Sequence, residues 1–349
     1  MKEYNILTTS IDITYNCPFR CLHCFNSSGT HNFAKKEMTN GEFMNAIKQI
    51  SEYRPNTVCF CGGEPLLRKD LLIESASYLS ENSKHNIDIN LVTNGYLMDK
   101  KTATRLKDSG FKLIQISLDG ATPSTHDWLR NKKGSYHKAI EATQILVDEG
   151  FYVGIACAPN KKNIDEIDDL IDLCYELGVK EFRMQPLMKL GRAKNIEDSF
   201  LNSEDYWKLC RKLRKKQEQM VLKGMHIEWG DPILHILSGR KGKKHLDYIS
   251  INAYGDIVIS PYLPVIVGNI KKHTLNEYFN NGLGEVWELD FIKVLSRYVK
   301  SAETLDINSI NNLIPEIFTG RDIEVDLVED NIILMDRKII EKYKFEGVI

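Results

Sequence analysis

The stretch Ile11-Asp12-Ile13-Thr14-Tyr15-Asn16-Cys17-Pro18-Phe19-Arg20-Cys21-Leu22-His23-Cys24 runs from a β-branched segment straight into three cysteines, spaced by four and three residues. Residues 11–15 read as a strand, and the spacing after it lets one tight loop aim three thiolates at a single point. Soft thiolates select zinc, copper(I) or iron–sulfur clusters. A structural zinc site wants four closed ligands, and His23 or His31 is at hand as the fourth. A [4Fe–4S] cluster held by three cysteines instead leaves one iron open for chelation. From the loop alone, zinc, simple buried thiols and a cluster all stand.

Working outward, strand-like segments recur at 57–61, 87–92, 112–118, 152–156 and 180–184, alternating with helix-period stretches. Thr39 with Glu42, and Asn163 with Glu166, have the spacing of capping boxes, and Gly178 stands where a helix would stop. Six such βα units predict parallel strands with right-handed crossovers. They fall short of a full (β/α)₈ barrel, so the expected fold is α/β, a partial (β/α)₆ TIM-like barrel with its site at the C-terminal strand ends. A doubly wound sheet is the competing architecture. Past residue 225 the pattern changes: 248–252, a turn at 253–256 and 257–260 predict a β-hairpin, and helical pieces follow near 275–279 and 285–299. The tail 301–349 is expected to pack back on the barrel. Residues 1–225 are thus read as the core and 226–349 as an extension.

The 349 residues carry a net charge of −2, with Lys and Arg scattered, which argues against nucleic-acid or anionic-membrane partners. The start lacks an apolar signal region and no stretch reaches membrane-spanning length, so the expected location is the cytoplasm. Eight cysteines in a reducing compartment point to metal or reactive thiols rather than disulfides.

Later strand ends carry further motifs. The second runs into Gly62-Gly63-Glu64-Pro65, where two glycines permit close backbone approach. The third ends Val92-Thr93-Asn94-Gly95, the fourth Ile116-Ser117-Leu118-Asp119-Gly120, and the sixth Met184-Gln185-Pro186-Leu187. Between them lies His126-Asp127-Trp128-Leu129-Arg130 before Gly134-Ser135-Tyr136. Together with the cysteine loop these resemble the radical SAM superfamily, whose loop is CxxxCxΦC; His23 stands where that family usually has Tyr or Phe. The resemblance implies that Cys17, Cys21 and Cys24 ligate a [4Fe–4S] cluster and that S-adenosylmethionine (SAM) binds its fourth iron. An electron then cleaves SAM to methionine and a 5′-deoxyadenosyl radical. It further implies that Gly62, Gly63 and Glu64 bind the methionyl amino group, with Ser117 and Asn94 as SAM contacts. Arg130 is expected to meet the SAM carboxylate, or else to form a surface salt bridge. Met184 and Gln185 are expected near adenine, although a Met–Leu stripe is also ordinary core.

The segment Asn252-Ala253-Tyr254-Gly255-Asp256-Ile257-Val258, through Gly268-Asn269-Ile270 to Leu275-Asn276-Glu277-Tyr278-Phe279, resembles the SPASM/twitch extension. That extension carries a Pro-Cys where this chain has Ser260-Pro261-Tyr262-Leu263-Pro264, and no cysteine follows Cys210. One cluster is therefore expected. Cys59, Cys61, Cys174 and Cys210 are read as buried structural thiols, while Cys157, Asp12 and Tyr262 are candidates to face the cavity, Cys157 as a hydrogen-atom donor. The implied function is radical modification of a ribosomally made peptide. Sixteen residues precede Cys17, too few for a peptide-recognition domain, so the expectation is either weakened or calls for a separate recognition protein. The alternatives are a small-molecule substrate (a sugar, an aminocyclitol or a tetrapyrrole) and a non-catalytic zinc or iron–sulfur scaffold. A flavodoxin or ferredoxin is the expected electron donor, and the expected state is a monomer.

Overall fold

The computed structural model describes residues 6–31, 35–82, 87–240, 246–299 and 323–342. The first half is a repeating series: β1 (Thr8–Asp12), α1 (Asn40–Glu52), β2 (Thr57–Cys61), α2 (Lys69–Asn82), β3 (Asp88–Thr93), α3 (Lys100–Asp108) and β4 (Phe111–Ser117). It continues with α4 (Pro123–Arg130), α5 (Ser135–Asp148), β5 (Tyr152–Cys157), α6 (Ile167–Glu176), β6 (Glu181–Met184), α7 (Ser203–Val221) and β7 (His226–Trp229). These strands pair in parallel in strict chain order, 1-2-3-4-5-6-7. A doubly wound sheet reverses its order midway. Sequential order with right-handed crossovers puts every helix on one face instead, so the sheet curls into an open, partial barrel. The parallel series runs one strand past residue 225. The strand β7 escapes periodicity because four residues, His-Ile-Glu-Trp, are too few to show it.

Alternation along each strand sorts the two faces. Ile11, Val58, Phe60, Ile89, Leu91, Ile114, Ile116, Val153, Ile155 and Phe182 are buried in one continuous core beneath the helices. The intervening positions, Ser10, Asp12, Cys59, Cys61, Ser117 and Arg183, are only partly buried and line the lumen. The capping box at Thr39 and Glu42 forms as expected, and Gly178 takes the left-handed conformation after α6. The one expected at Asn163 and Glu166 does not. Asn163 turns its amide to the Asp119 carbonyl at 2.8 Å, and Glu166 accepts from the Ala121 and Thr122 amides at 2.9 and 3.2 Å. Both side chains tie down the loop before α4 because the long-range acceptors outcompete local capping.

After α8 (Pro232–Arg240), β8 (Tyr248–Ile251) returns to pair with β1 in parallel, and β9 (Asp256–Val258) folds back on it as the expected hairpin. Next come β10 (Val265–Asn269), α9 (Leu275–Asn280) and α10 (Asp290–Tyr298), then β11 (Ile323–Glu324) and α11 (Ile332–Lys342). The described part of the tail packs on this extension, β11 on β10 and α11 on α10.

Candidate functional site

The long loop between β1 and α1 carries the three cysteines across the C-terminal mouth of the barrel. Its backbone is fastened by the second motif: Ile13 N–H donates to Cys61 O, Gly63 N–H to Thr14 O and Glu64 N–H to Asn16 O, at 3.0, 2.7 and 2.9 Å. A Cβ on Gly62 would lie 2.4 Å from Thr14 O, and one on Gly63 2.4 Å from Asn16 O. The two glycines are therefore required by the approach of the cysteine loop itself. Glu37 adds a second clamp, accepting from Thr14 Oγ1 and Tyr15 N–H, each at 2.7 Å.

The third clamp comes from beyond β6. Arg192 donates from Nε to Cys21 O at 2.9 Å and from Nη1 to Ser28 O at 3.1 Å, and its N–H donates to Cys24 O at 3.0 Å. Gly191 before it has φ +53°, and a Cβ there would meet Phe25 O and Cys24 O at 2.4 and 2.5 Å. Sequence reasoning missed Arg192 and Glu37, since no local pattern marks a residue whose role is to touch a distant loop.

Glu64 is fully buried and its carboxylate is spent on protein. It accepts from Thr93 Oγ1 (2.7 Å), Asn94 N–H (2.9 Å) and Leu66 N–H (3.0 Å), bracing the end of β3. Burial raises its pKa, and the three donors oppose the rise. Braced this way, Asn94 points its Nδ2 at Cys17 Sγ, 3.9 Å away.

On the other side, Arg130 donates from Nε to Asp119 Oδ2 at 2.6 Å and points Nη1 at Cys21 Sγ, 4.0 Å away. Asp119 is wholly buried and Arg130 is 11% exposed, so the sequence alternative of a surface salt bridge is corrected: the pair lies inside. Burial pushes the Asp119 carboxyl up, but Arg130 together with His23, His126 and the Ala158 N–H outweighs it and holds the carboxyl below its ordinary value. Asp119 Oδ1 also accepts from Ala158 N–H at 2.9 Å, which fixes the orientation of the pair. Burial drives the Cys17 thiol up to about 12 and raises Cys21, with Arg130 opposing at Cys21. Thiols so placed ionise readily only when a positive group arrives to hold them.

The donor set discriminates between metals. A single tetrahedral zinc draws its sulfurs to within about 3.8 Å of one another, given Zn–S bonds of about 2.3 Å. Among the described residues, the only His, Cys, Asp or Glu trio with ligand atoms all within 4.8 Å is His273, Asp326 and Glu329, on the extension. The three loop thiols are not all within 4.8 Å of one another, so they are not already gathered around a single ion. Of the two candidate fourth zinc ligands, His31 is engaged elsewhere: its Nδ1 meets Tyr254 Oη at 2.9 Å and its Nε2 meets Asn26 O. His23 lies beside Arg130, where burial and that cation lower its pKa to about 4. Three thiols at one strand end fit an iron–sulfur cluster with one open iron, whereas a single zinc would have to draw them closer together.

The comparisons agree with this geometry. Residues 11–174 match the radical SAM superfamily. The chain carries a radical SAM domain. It is 24% identical to the AdoMet-dependent heme synthase of Methanosarcina barkeri, over 77% of this chain and 81% of that protein. It is 28% identical to the mycofactocin maturase MftC of Mycolicibacterium smegmatis, over 79% of this chain and 69% of that protein. The crystal structure of Streptococcus suis SuiB bound to its precursor peptide SuiA superposes with a TM-score of 0.65. That match covers 94% of this chain and 76% of SuiB at 16% identity, a likeness of fold. The family implies SAM and an iron–sulfur cluster as cofactors. No helix among the described residues is long and apolar enough to cross a membrane.

The remaining sequence candidates divide. Ser117 ends β4 beside the Asn94 turn, with its side chain on the lumen face. Asp12 also faces the lumen, and burial raises its pKa to about 6. Gln185 Nε2 donates to Tyr262 Oη at 2.9 Å, so two candidates chosen separately meet across the lumen. Cys157 is a correction. Strand period puts it with Val153 and Ile155 on the helix face, in the core, where Asn163 Nδ2 approaches its sulfur at 3.8 Å. Met184 is corrected on the same ground: its side chain is wholly buried with Phe182 beneath the helices. Cys210 is exposed rather than structural, whereas Cys174 is buried as expected.

Proposed function

We propose that the chain holds one [4Fe–4S] cluster on Cys17, Cys21 and Cys24, cleaves SAM reductively, and abstracts hydrogen from a ribosomally made peptide. The observation that carries this is the thiol triad over the lumen mouth, with Asn94 and Arg130 each aiming N–H groups at one of its sulfurs. When bound, the cluster and SAM supply the hydrogen-abstracting radical, and the protein supplies orientation and exclusion of water. Glu37, Arg192 and the two glycines fix the loop. Asn94 and Arg130 offset negative charge on the thiolates, and charge-assisted N–H contacts of this kind tune cluster potential. Gly62, Gly63, Ser117 and Gln185 border the space for SAM, with Glu64 as the brace behind Asn94. Asp12 and Tyr262 border the space for substrate.

The peptide reading is supported by MftC, named a maturase, and by SuiB, solved with a precursor peptide. An iron tetrapyrrole is the second reading, favoured by the likeness to a heme synthase over four-fifths of that protein. A flavodoxin or ferredoxin would deliver the electron in either case. Anaerobic reconstitution is the test. The reading expects about four irons per chain and reductant-dependent release of 5′-deoxyadenosine from SAM, both lost in Cys21→Ala. Stoichiometric zinc in place of iron, or 5′-deoxyadenosine from the Cys21→Ala protein, would sink it.

A further inference from the structure

Two thiols that the motif pattern leaves unused stand inside the barrel. Cys59 and Cys61 are alternate residues of β2, so both project into the lumen, and their sulfurs lie 3.5 Å apart. They are neither core nor surface: both are half-buried, while Val58 and Phe60 between and beside them fill the core. Cys61 immediately precedes Gly62-Gly63, the clamp of the cysteine loop, and its register partner on β1 is Asp12. Across the lumen, Arg183 and Tyr262 are close enough to interact electrostatically with this pair.

From this geometry we infer that Cys59 and Cys61 form a lumenal dithiol that returns a hydrogen atom to a carbon-centred radical generated in the barrel. The inference rests on the SAM chemistry proposed above and deepens it. In the first step a sulfur–hydrogen bond of one cysteine breaks and a carbon–hydrogen bond forms, leaving a sulfur radical. The second cysteine then gives its proton to the Asp12 carboxylate, and its thiolate joins the sulfur radical in a sulfur–sulfur bond carrying one extra electron. An oxidised one-electron carrier of the flavodoxin or ferredoxin class takes that electron, leaving a disulfide, and an external dithiol reopens it. The substrate thereby loses one hydrogen atom and regains one. The reaction class is a hydrogen-neutral change such as inversion at a C–H stereocentre, which needs no second cluster.

The disulfide is within reach. Two residues apart on a strand places the Cα atoms about 6.6 Å apart, at the wide end of the range that a disulfide bridges. A bond at that limit is strained and readily reduced, as a turning-over pair requires.

Two measurements on the anaerobically reconstituted holoenzyme test this. In the first, the protein is treated with diamide, alkylated and mapped. The peptide containing residues 59–61 should lose two hydrogens, take no label, and recover both labels after dithiothreitol; independent labelling of both cysteines after diamide overturns the proposal. In the second, SAM and dithionite are supplied in ²H₂O without other substrate, so that the dithiol carries deuterium. Released 5′-deoxyadenosine should contain a deuterium in the parent and lose it in Cys59→Ser, Cys61→Ser and the double variant, each with its iron content unchanged. Deuterium-free 5′-deoxyadenosine from the parent, or unchanged deuterium in the double variant, refutes the dithiol alone. Absence of any 5′-deoxyadenosine refutes the underlying SAM reading as well.

Discussion

Replacing Gly63 by Ala tests how the barrel holds its cysteine loop. No positive φ is required at Gly63, so alanine is free to adopt the backbone conformation, and any effect comes from contact alone. The added Cβ would sit 2.4 Å from Asn16 O, 2.8 Å from Tyr15 O and 2.9 Å from the Asn16 carbonyl carbon. Ordinary contacts begin near 3.4 Å, so the loop backbone must retreat by about 1 Å; overpacking of this sort costs roughly 1–3 kcal/mol. The retreat breaks the Gly63–Thr14 and Glu64–Asn16 hydrogen bonds, each worth about 1 kcal/mol net. The expected destabilisation is therefore roughly 3–5 kcal/mol, and Cys17, next to Asn16, moves with the loop. Urea unfolding and iron content after reconstitution read the two effects. Gly41→Ala is the control: it lies in α1 with nothing within 4 Å of its Cβ, and should stabilise by about 0.5–1 kcal/mol. A Gly63→Ala protein that keeps parental stability and iron would refute the clamp.

Further expectations concern single side chains. Arg192→Ala removes three side-chain contacts to the cysteine loop, at Cys21 O, Ser28 O and Thr30 Oγ1, and should speed iron loss to a chelator while circular dichroism stays unchanged. Equal chelation rates would contradict that role. Asp12 has its pKa raised from 3.8 to about 6, so the fold holds its proton more tightly than the unfolded chain does. The protonated form's advantage is complete below pH 4 and lost as pH rises through 6. Asp12→Asn should thus gain up to about 3 kcal/mol over the parent at pH 7 and nothing at pH 4, at about 1.4 kcal/mol per unit. A pH-independent difference in urea unfolding would refute it. Cys157→Ala should cost about 1–2 kcal/mol through its core cavity yet leave 5′-deoxyadenosine formation intact. Loss of that product with folding preserved would return Cys157 to the lumen.

Much of the barrel was legible because parallel strands buried on one face advertise themselves. The segments 57–61 and 152–156 match β2 and β5 within one residue, and the Thr39–Glu42 capping box is built as its spacing suggests. The first strand lies earlier than the apolar run 11–15 predicts: β1 is Thr8–Asp12, and residues 13–15 belong to the clamped loop. Threonines at 8 and 9 gave no apolar signal, although Thr9 is wholly buried.

What the sequence determined by itself was chemistry: three thiols at one strand end, glycines at the next, and the order of βα units that makes an open barrel. Those are local properties, fixed by spacing, period and the identity of ligating atoms. Only the tertiary structure decided which side chains act together. It set Arg192 on the cysteine loop and joined Arg130 to Asp119 behind Cys21. It moved Cys157 into the core and left Cys59 and Cys61 facing each other in the lumen. The physical reason is that strand facing and long-range hydrogen bonds depend on register. A shift of one residue exchanges core for cavity, and nothing along the chain records which distant backbone a side chain will find.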